Sequence, residues 1–249
     1  MGRGPVGEGR DPGAALAYGA PPASWKGACQ AGEGFTAAHC NNKLIGARYF
    51  NAGFLAGGRT LHWSDFVSPR DSVGGPFAHG GHGTHTASTA GGNSGVAASV
   101  GGIAMGTVSG MAPHARLAMY KVCWTFVEEG SADGTGSRNA CYSSDSVAAI
   151  ESAVADGVNV INYSISGSQT SVLDPVEIAF FGASNAGVFV AASAGNSGPA
   201  NAVSHVAPWL TTVAAGTHNR LNAAKATTGA GASYTGASLN QHALTTIAA

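Results

Sequence analysis

A histidine and an asparagine, each beside glycine, are the residues of this chain best suited to chemistry. In the run Gly81-His82-Gly83-Thr84-His85 the glycines leave space around the His82 ring, so a substrate can approach it. Such a histidine can take a proton from a nucleophile and return it to a leaving group. In Ala194-Gly195-Asn196-Ser197-Gly198 an apolar stretch ends on an amide that can donate a hydrogen bond to a developing negative charge. Both positions therefore suit contact with a substrate.

Each of these residues also has a non-catalytic interpretation. His79, His82 and His85 recur every third residue and could hold a metal ion, although no Cys or Glu nearby completes a site. His85 suits a hydrogen-bonded structural histidine packed near the site. Asn196 suits a turn without chemistry. We favour His82 as the reacting histidine and expect neither a metal nor a cofactor.

The composition narrows the classes of function. Charged residues make up 10% of the 249 residues and the net charge is −1, which leaves no basic field to attract nucleic acid or acidic lipid. Apolar residues make up 44%, which is ordinary for a globular protein, and 249 residues can bury one substantial core or two small ones. The sequence has no apolar stretch of about twenty residues, so we expect no membrane span.

The elements that must position these residues follow an alternating pattern. The pattern predicts strands at 43–50, 116–122, 158–165, 188–194 and 209–214, and helices at 84–90, 143–155 and 174–187. Ser143-Ser144-Asp145 offers N-caps for one helix, and Asp174-Pro175-Val176-Glu177 looks like a capping box for the next. Residues 1–24, 64–81 and 91–102 are predicted loops. Alternating strands and helices indicate an α/β fold with a mainly parallel sheet.

Functional loops of such sheets follow the carboxyl ends of the strands. Ser164-Ile165-Ser166-Gly167 and the Asn196 run both lie there. The His82 run resembles the histidine motif of subtilisin-like serine proteases, and the Asn196 run resembles their oxyanion segment. The resemblance is to the plant-type, or pyrolysin-like, branch, and spans about residues 24–240. Further matches in family order are Trp25-Lys26-Gly27, Lys43-Leu44-Ile45-Gly46-Ala47-Arg48, Ser109-Gly110-Met111-Ala112-Pro113, Tyr120-Lys121-Val122 and Ala155-Asp156-Gly157-Val158.

The resemblance implies a fold and a set of roles. It implies a subtilisin-like three-layer domain over residues 25–240, incomplete, preceded by the loop-rich 1–24 and followed by a tail at 241–249. His82 would be the general base and Asn196 the oxyanion donor. An extended peptide would pair with one wall and enter a first specificity pocket. The expected pocket residues are Ser164, Ile165, Ser166, Gly167, Ser193, Ala194 and Gly195. Ser166 stands where many relatives have glycine, which would narrow the pocket.

Two members of the expected triad are missing from the sequence. Asp11-Pro12-Gly13 resembles the acid motif only remotely and lies too close to Trp25. Asp65 and Asp71 suit a solvated loop better than catalysis. Neither Gly134-Thr135-Gly136-Ser137 nor Gly236-Ala237-Ser238 matches the serine motif. We therefore expect a serine endopeptidase chain truncated at both ends and inactive alone; the alternative is a non-catalytic peptide-binding module.

Four cysteines, Cys29, Cys40, Cys123 and Cys141, contain no C-x-x-C pair. Their spacing suits two local disulfides, Cys29–Cys40 and Cys123–Cys141, in an oxidising compartment, and the alternative is four buried thiols. The family resemblance implies secretion, a peptide or protein substrate and a monomeric full-length form. The first ten residues lack the apolar region of a signal peptide.

Overall fold

The computed structural model describes residues 18–73, 80–100, 102–129, 136–219 and 223–238, which form an α/β fold. The helices are α1 (Ala52–Ala56), α2 (His82–Gly91), α3 (Ser143–Asp156) and α4 (Pro175–Asn185), with a 3-10 turn at Ala37–His39. The strands are β1 (Leu44–Tyr49), β2 (Val96–Val100), β3 (Ile103–Val108), β4 (Leu117–Lys121), β5 (Cys123–Val127), β6 (Ser137–Cys141), β7 (Val160–Tyr163), β8 (Phe189–Ser193), β9 (Thr211–Val213), β10 (Ala223–Thr227) and β11 (Ser233–Ala237).

A parallel three-stranded sheet carries the second half of the expected site. Its strands lie in the order β7-β8-β9, with Tyr163 beside Ala192 and Ser193 beside Val213. The sequence pattern predicted all three strands and their parallel direction. Because the strands are parallel, the segments that follow β7 and β8 emerge at the same edge of the sheet.

Helices α3 and α4 cover one face of this sheet. Ile150 from α3 and Phe180 from α4 are buried in one apolar cluster with Val190 of β8. On the opposite face Val160 and Phe189 are each more than half exposed. In a strand with one buried and one exposed face, successive side chains point alternately to the core and to the exposed face. The burial of β8 alternates in this way.

The start of α4 is partly as predicted. Asp174 is the N-cap, its carboxylate accepts from the Val176 amide at 2.9 Å, and Pro175 occupies the first turn. The predicted capping box is wrong in its second half. Glu177 is 1% exposed, and its carboxylate contacts the His205 ring instead of the first turn of its own helix. A long-range partner has replaced the local one.

The N-cap of helix α3 lies one residue before the three residues that were predicted to cap it. Tyr142 is the N-cap, while Ser143 and Asp145 already belong to the helix, where Asp145 accepts hydrogen bonds from the Gly53 and Phe54 amides of α1. The helix ends at Gly157 with φ 91°, as predicted, because a left-handed residue closes a helix most easily as glycine.

A second, separate parallel pair, β1-β4, lies beside the last residue of the helix that carries the histidine run. Helix α2 lies against this pair at Gly91, where an added Cβ would stand 2.9 Å from the Leu117 side chain. Both strands were predicted from the sequence. The helix begins at His82, two residues earlier than predicted.

The antiparallel hairpins were not predicted. Residues 91–102 were expected to be a loop, but β2 and β3 pair from Val96 opposite Val108 to Val100 opposite Ile103, since backbone pairing here outweighs the small side chains. Strands β5 and β6 place Cys123 opposite Cys141, and the structure joins them in a disulfide. A second disulfide joins Cys29 to Cys40.

Most of the predicted N-terminal segment, residues 1–17 with the Asp11 run, and the whole predicted tail at 241–249 lie outside the described residues. At the end of the N-terminal segment the Tyr18 hydroxyl donates to the Pro113 carbonyl, and the Asn42 side chain donates to the Tyr18 carbonyl at 2.8 Å. None of the described helices is long and apolar enough to cross a membrane.

Candidate active site

His82 lies in the first turn of α2 and is exposed. The preceding Gly81 has φ 85°, a left-handed conformation in which a side chain would be strained, so glycine lets the chain turn into the helix here. One of the orphan amides of this helix start, that of Thr84, is bonded to Asp71. Its carboxylate accepts from the Thr84 amide at 3.0 Å and from the Thr84 hydroxyl at 2.7 Å.

Of the two aspartates before the histidine run, Asp65 is buried and not solvated as predicted, whereas Asp71 is half-buried. Asp65 is 4% exposed, and its carboxylate lies 2.5 Å from the Lys121 ammonium and accepts from the Thr125 amide at 2.7 Å. Burial lowers the pKa of Lys121, and Asp65 acts in the opposite direction. This pair fixes the start of the loop that leads to His82.

His85 does not pack as predicted. Its residue is exposed, and its backbone carbonyl accepts from the Ser88 and Thr89 hydroxyls within α2. The other histidine of the possible metal site, His79, lies outside the described residues.

Asn196 follows the carboxyl end of β8 in an exposed bend. The strand end is held by the Ala194 amide, which donates to the Val213 carbonyl at 2.8 Å. Gly195 has φ 79°, and an added Cβ there would stand 2.9 Å from the Ser204 hydroxyl. Glycine at this position therefore lets the backbone turn at the strand end and lets the neighbouring segment approach.

The structure brings the two predicted pocket segments together. The Ser193 hydroxyl donates to the Ile165 carbonyl at 3.2 Å, and an added Cβ on Gly195 would stand 3.2 Å from the Ser166 hydroxyl. We call Ser164–Gly167 the first wall and Ser193–Gly195 the second wall. The two walls face each other at one edge of the sheet.

A cavity of about 210 Å³ opens behind the first wall. It is lined by Ile165, Ser166 and Gly167 of that wall and by residues at the starts of α3 and α4, including Ser146 and Asp174. The second wall does not line this cavity, so the cavity differs from the pocket expected between the walls. Its lining is largely polar.

The structure does not join the histidine to the rest of the site. Among the described residues, no hydrogen bond, ion pair or ring contact links His82 to Asn196 or to either wall. The walls follow strands of the β7-β8-β9 sheet, whereas His82 lies on α2, whose last residue contacts β4 of the separate β1-β4 pair.

Comparison with known proteins decides the family. The Peptidase S8 model, described as the subtilase family, matches residues 54–249, which contain His82, Asn196 and both walls. The chain belongs to the subtilase family. Its matched region includes the complete three-stranded sheet and α2.

Relatives from Arabidopsis thaliana agree with this assignment. Subtilisin-like protease SBT1.7 is 46% identical over 225 residues, which cover 89% of this subtilase chain and 27% of the relative. Subtilisin-like protease SBT1.5 is 48% identical over 202 residues, covering 80% of this chain and 24% of the relative. The chain thus resembles plant subtilases, as the sequence motifs indicated, and spans about a quarter of the length of these relatives.

Sequence reasoning missed the residues that support the first wall of this subtilase. His205 is fully buried, and its ring contacts Glu177 of α4 at 2.5 Å and the Ile165 carbonyl at 2.8 Å. One signal was present in the sequence: Glu177 is a single carboxylate within the apolar run Val176–Phe181. A charge buried in such a run needs a partner.

Tyr163 is the last residue of β7 and directly precedes the first wall. Its hydroxyl donates to the Ser146 hydroxyl at 3.0 Å, and burial raises its pKa. Within the described ranges, no three His, Cys, Asp or Glu side chains are grouped as a metal site would require.

Proposed function

We propose that this chain is part of the catalytic domain of a serine endopeptidase that hydrolyses peptide bonds by acyl transfer. In this proposal His82 is the general base, and the Asn196 amide donates to the oxyanion of the tetrahedral intermediate. The observation that carries the proposal is the pairing of the two walls by the Ser193–Ile165 hydrogen bond beside Asn196. The membership of the subtilase family supports the reaction type.

The positions of the two walls support the binding of an extended peptide. They follow neighbouring parallel strands and lie at one sheet edge, where added backbone can pair with the first wall. Ser166 is exposed on that wall, so its side chain would narrow the entrance compared with glycine. The substrate in this proposal is a peptide or an unfolded protein segment.

The proposal assigns no nucleophile to this chain. No run of the sequence matches the serine motif, and without a nucleophile an acyl-enzyme does not form. We expect this 249-residue chain to bind peptide without cleaving it. This same feature favours the second candidate function, a non-catalytic peptide-binding module.

One pair of assays tests what both candidate functions expect of this chain. A fluorescein-labelled casein peptide should bind this chain in a polarisation assay, while a fluorophosphonate reagent for active serines should leave the chain unlabelled. Cleavage of the peptide that the fluorophosphonate blocks would overturn the proposed inactivity. Absence of peptide binding would overturn the binding module and the expectation that this chain binds peptide alone.

A longer protein that contains this sequence and a serine motif gives the decisive comparison. If such a protein cleaves the peptide, His82→Ala should abolish the activity, since in subtilisin loss of the histidine costs about a millionfold in kcat. Asn196→Ala should cost about a hundred- to a thousandfold. A longer protein with neither serine motif nor activity would favour the binding module.

We also propose that the protein works outside the cell. The two disulfides, Cys29–Cys40 and Cys123–Cys141, support this location because such bonds persist in oxidising compartments. Fractionation of source tissue with an antibody to this chain tests it: the antigen should be found in the extracellular fluid.

A further inference from the structure

A buried histidine–glutamate pair lies directly behind the first wall. The rings and carboxylate of His205 and Glu177 are at most 1% exposed, and the two side chains meet at 2.5 Å through Nδ1 and Oε1. Glu177 belongs to α4, whereas His205 belongs to the segment between β8 and β9. The pair therefore joins the helix layer to the loop that crosses the strand ends.

The hydrogen bonds of the His205 ring fix where its protons lie. The Ile165 carbonyl, 2.8 Å from Nε2, can only accept, so Nε2 carries a proton. Nδ1 faces a carboxyl oxygen, so a second proton lies between Nδ1 and Oε1, on one atom or the other. With that shared proton the pair has no net charge, which suits a site excluded from water.

Several further contacts hold this ring in one orientation. Tyr163 and Phe180 meet it edge to face, with centroid distances of 5.5 and 5.9 Å. An added Cβ on Gly167 would stand 2.2 Å from the ring, so the wall approaches His205 as closely as glycine allows. His205 itself has φ 59°, a left-handed conformation that is rare for a residue with a side chain.

The same segment contacts both walls through its backbone. The His205 amide donates to the Ser168 carbonyl at 2.9 Å, just after the first wall, and the Ser204 amide donates to the Ala194 carbonyl of the second wall at 2.9 Å. The Ile165 carbonyl thus receives two donors, His205 Nε2 and the Ser193 hydroxyl. Residues 204 and 205 fix the spacing of the two walls.

We propose that His205, through the proton that it shares with Glu177, is a positioning residue that holds the Ile165 carbonyl inward and so sets the shape of the first wall. The role in peptide binding rests on the proposed function, whereas the effect on the wall does not. Loss of the shared proton leaves two acceptors facing one remaining N–H, so one of the two bonds breaks. The wall is then released or α4 loses its contact.

Few other titratable groups face this pair. From β7 the Tyr163 ring packs against it, and from α4 Asp174 lies one turn before Glu177 with its carboxylate engaged by the Val176 amide. The segment 164–168 and strand β9 contribute serine, threonine and backbone groups without charge. The proton behind the first wall is therefore shared between His205 and Glu177 without a third charged group of the described residues in contact with it.

Two variants separate positioning from mere burial. Glu177→Gln is the matched control, because its amide can donate N–H to a neutral His205 ring while Nε2 keeps its bond to Ile165. His205→Leu fills similar space and loses both bonds. The amide signals of Ser166 and Gly167 in ¹⁵N NMR spectra report the wall, and the polarisation assay with the casein peptide reports binding.

We expect His205→Leu to shift the wall amide signals and to weaken peptide binding about tenfold, while Glu177→Gln stays close to the wild type at neutral pH. The proton that His205 Nδ1 shares with Glu177 should give a strongly downfield ¹H signal in the wild type, and Glu177→Gln should lack that signal. Wall signals unmoved in His205→Leu would overturn the positioning role.

The outcomes keep this inference apart from the proposed function. A wild type that binds no peptide, with wall signals that still move in His205→Leu, supports the positioning role and overturns peptide binding. If His205→Leu does not fold, Glu177→Gln decides alone: the same downfield ring-proton signal in this variant as in the wild type would overturn the shared-proton role.

Discussion

The Asp71 carboxylate accepts two hydrogen bonds from Thr84, one from its amide at 3.0 Å and one from its hydroxyl at 2.7 Å. Thr84 lies two residues after His82, so this contact fixes the turn of α2 that holds the histidine. A carboxylate at a helix start also complements the positive end of the helix dipole. The loop residue thus does for α2 what an N-cap side chain does elsewhere.

Asp71→Ala should lower the free energy of unfolding by about 1 kcal/mol, as loss of a helix cap does. Asp71→Asn keeps an acceptor and should lose less. Urea unfolding measures both, and the ring signals of His82 should move in the alanine variant. Equal stability of Asp71→Ala and the wild type would show that the contact does not hold α2.

The Asp65–Lys121 pair gives a larger effect because both side chains are largely buried, with 1% and 11% of their surfaces exposed. Asp65→Ala leaves the ammonium and the Thr125 amide without their partner and should cost about 3 kcal/mol in unfolding free energy. The exposed pair Arg138–Glu128 is the control, since Glu128→Ala should cost under about 1 kcal/mol. Similar losses in both variants would contradict the distinction.

Two glycine substitutions should change the stability of the fold in opposite directions. Gly167→Ala places a methyl group 2.2 Å from the His205 ring and should destabilise the fold by about 1–3 kcal/mol. Gly182 lies within α4 with no atom within 4 Å of an added Cβ, so Gly182→Ala should stabilise by up to about 1 kcal/mol. Thermal unfolding measures both variants. A stabilised Gly167→Ala would show that the wall has room to move.

Alkaline pH should weaken the fold through Tyr120. Burial, followed by its hydrogen bond to Asp156, raises the pKa of Tyr120, so the folded chain keeps a proton that the unfolded chain releases above about pH 10. The stabilisation is therefore complete below that pH and is lost as the pH rises beyond it. The free energy of unfolding, measured with urea at a series of alkaline pH values, should fall less steeply with pH in Tyr120→Phe than in the wild type. Parallel profiles would contradict this origin.

Local sequence signals predicted the elements best where the residue that gives the signal also makes its contact within the same element. Asp174-Pro175 begins α4 and Gly157 ends α3, since caps act within one turn of their own helix. Both predicted walls also follow strands that the apolar pattern marked. The β2-β3 hairpin was missed because its strands are short and rich in small residues, with the pairing partner decided by backbone register.

The same reasoning failed where the partner is distant in the chain. Glu177 suited a capping box, yet its carboxylate meets His205, which lies 28 residues further on. Asp65 suited a solvated loop, yet it meets Lys121, 56 residues away. Spacing indicates neighbours on one element, while these pairs are decided by tertiary packing.

The central claim is that His82, Asn196 and the first wall serve one bound peptide. Titration of the ¹⁵N-labelled chain with the casein peptide, followed by NMR, measures this directly. We predict that the His82 ring, the Asn196 side-chain amide and the Ser166 and Gly167 amides shift together with a single Kd. A peptide that moves the wall signals and leaves the His82 and Asn196 signals in place would contradict the claim.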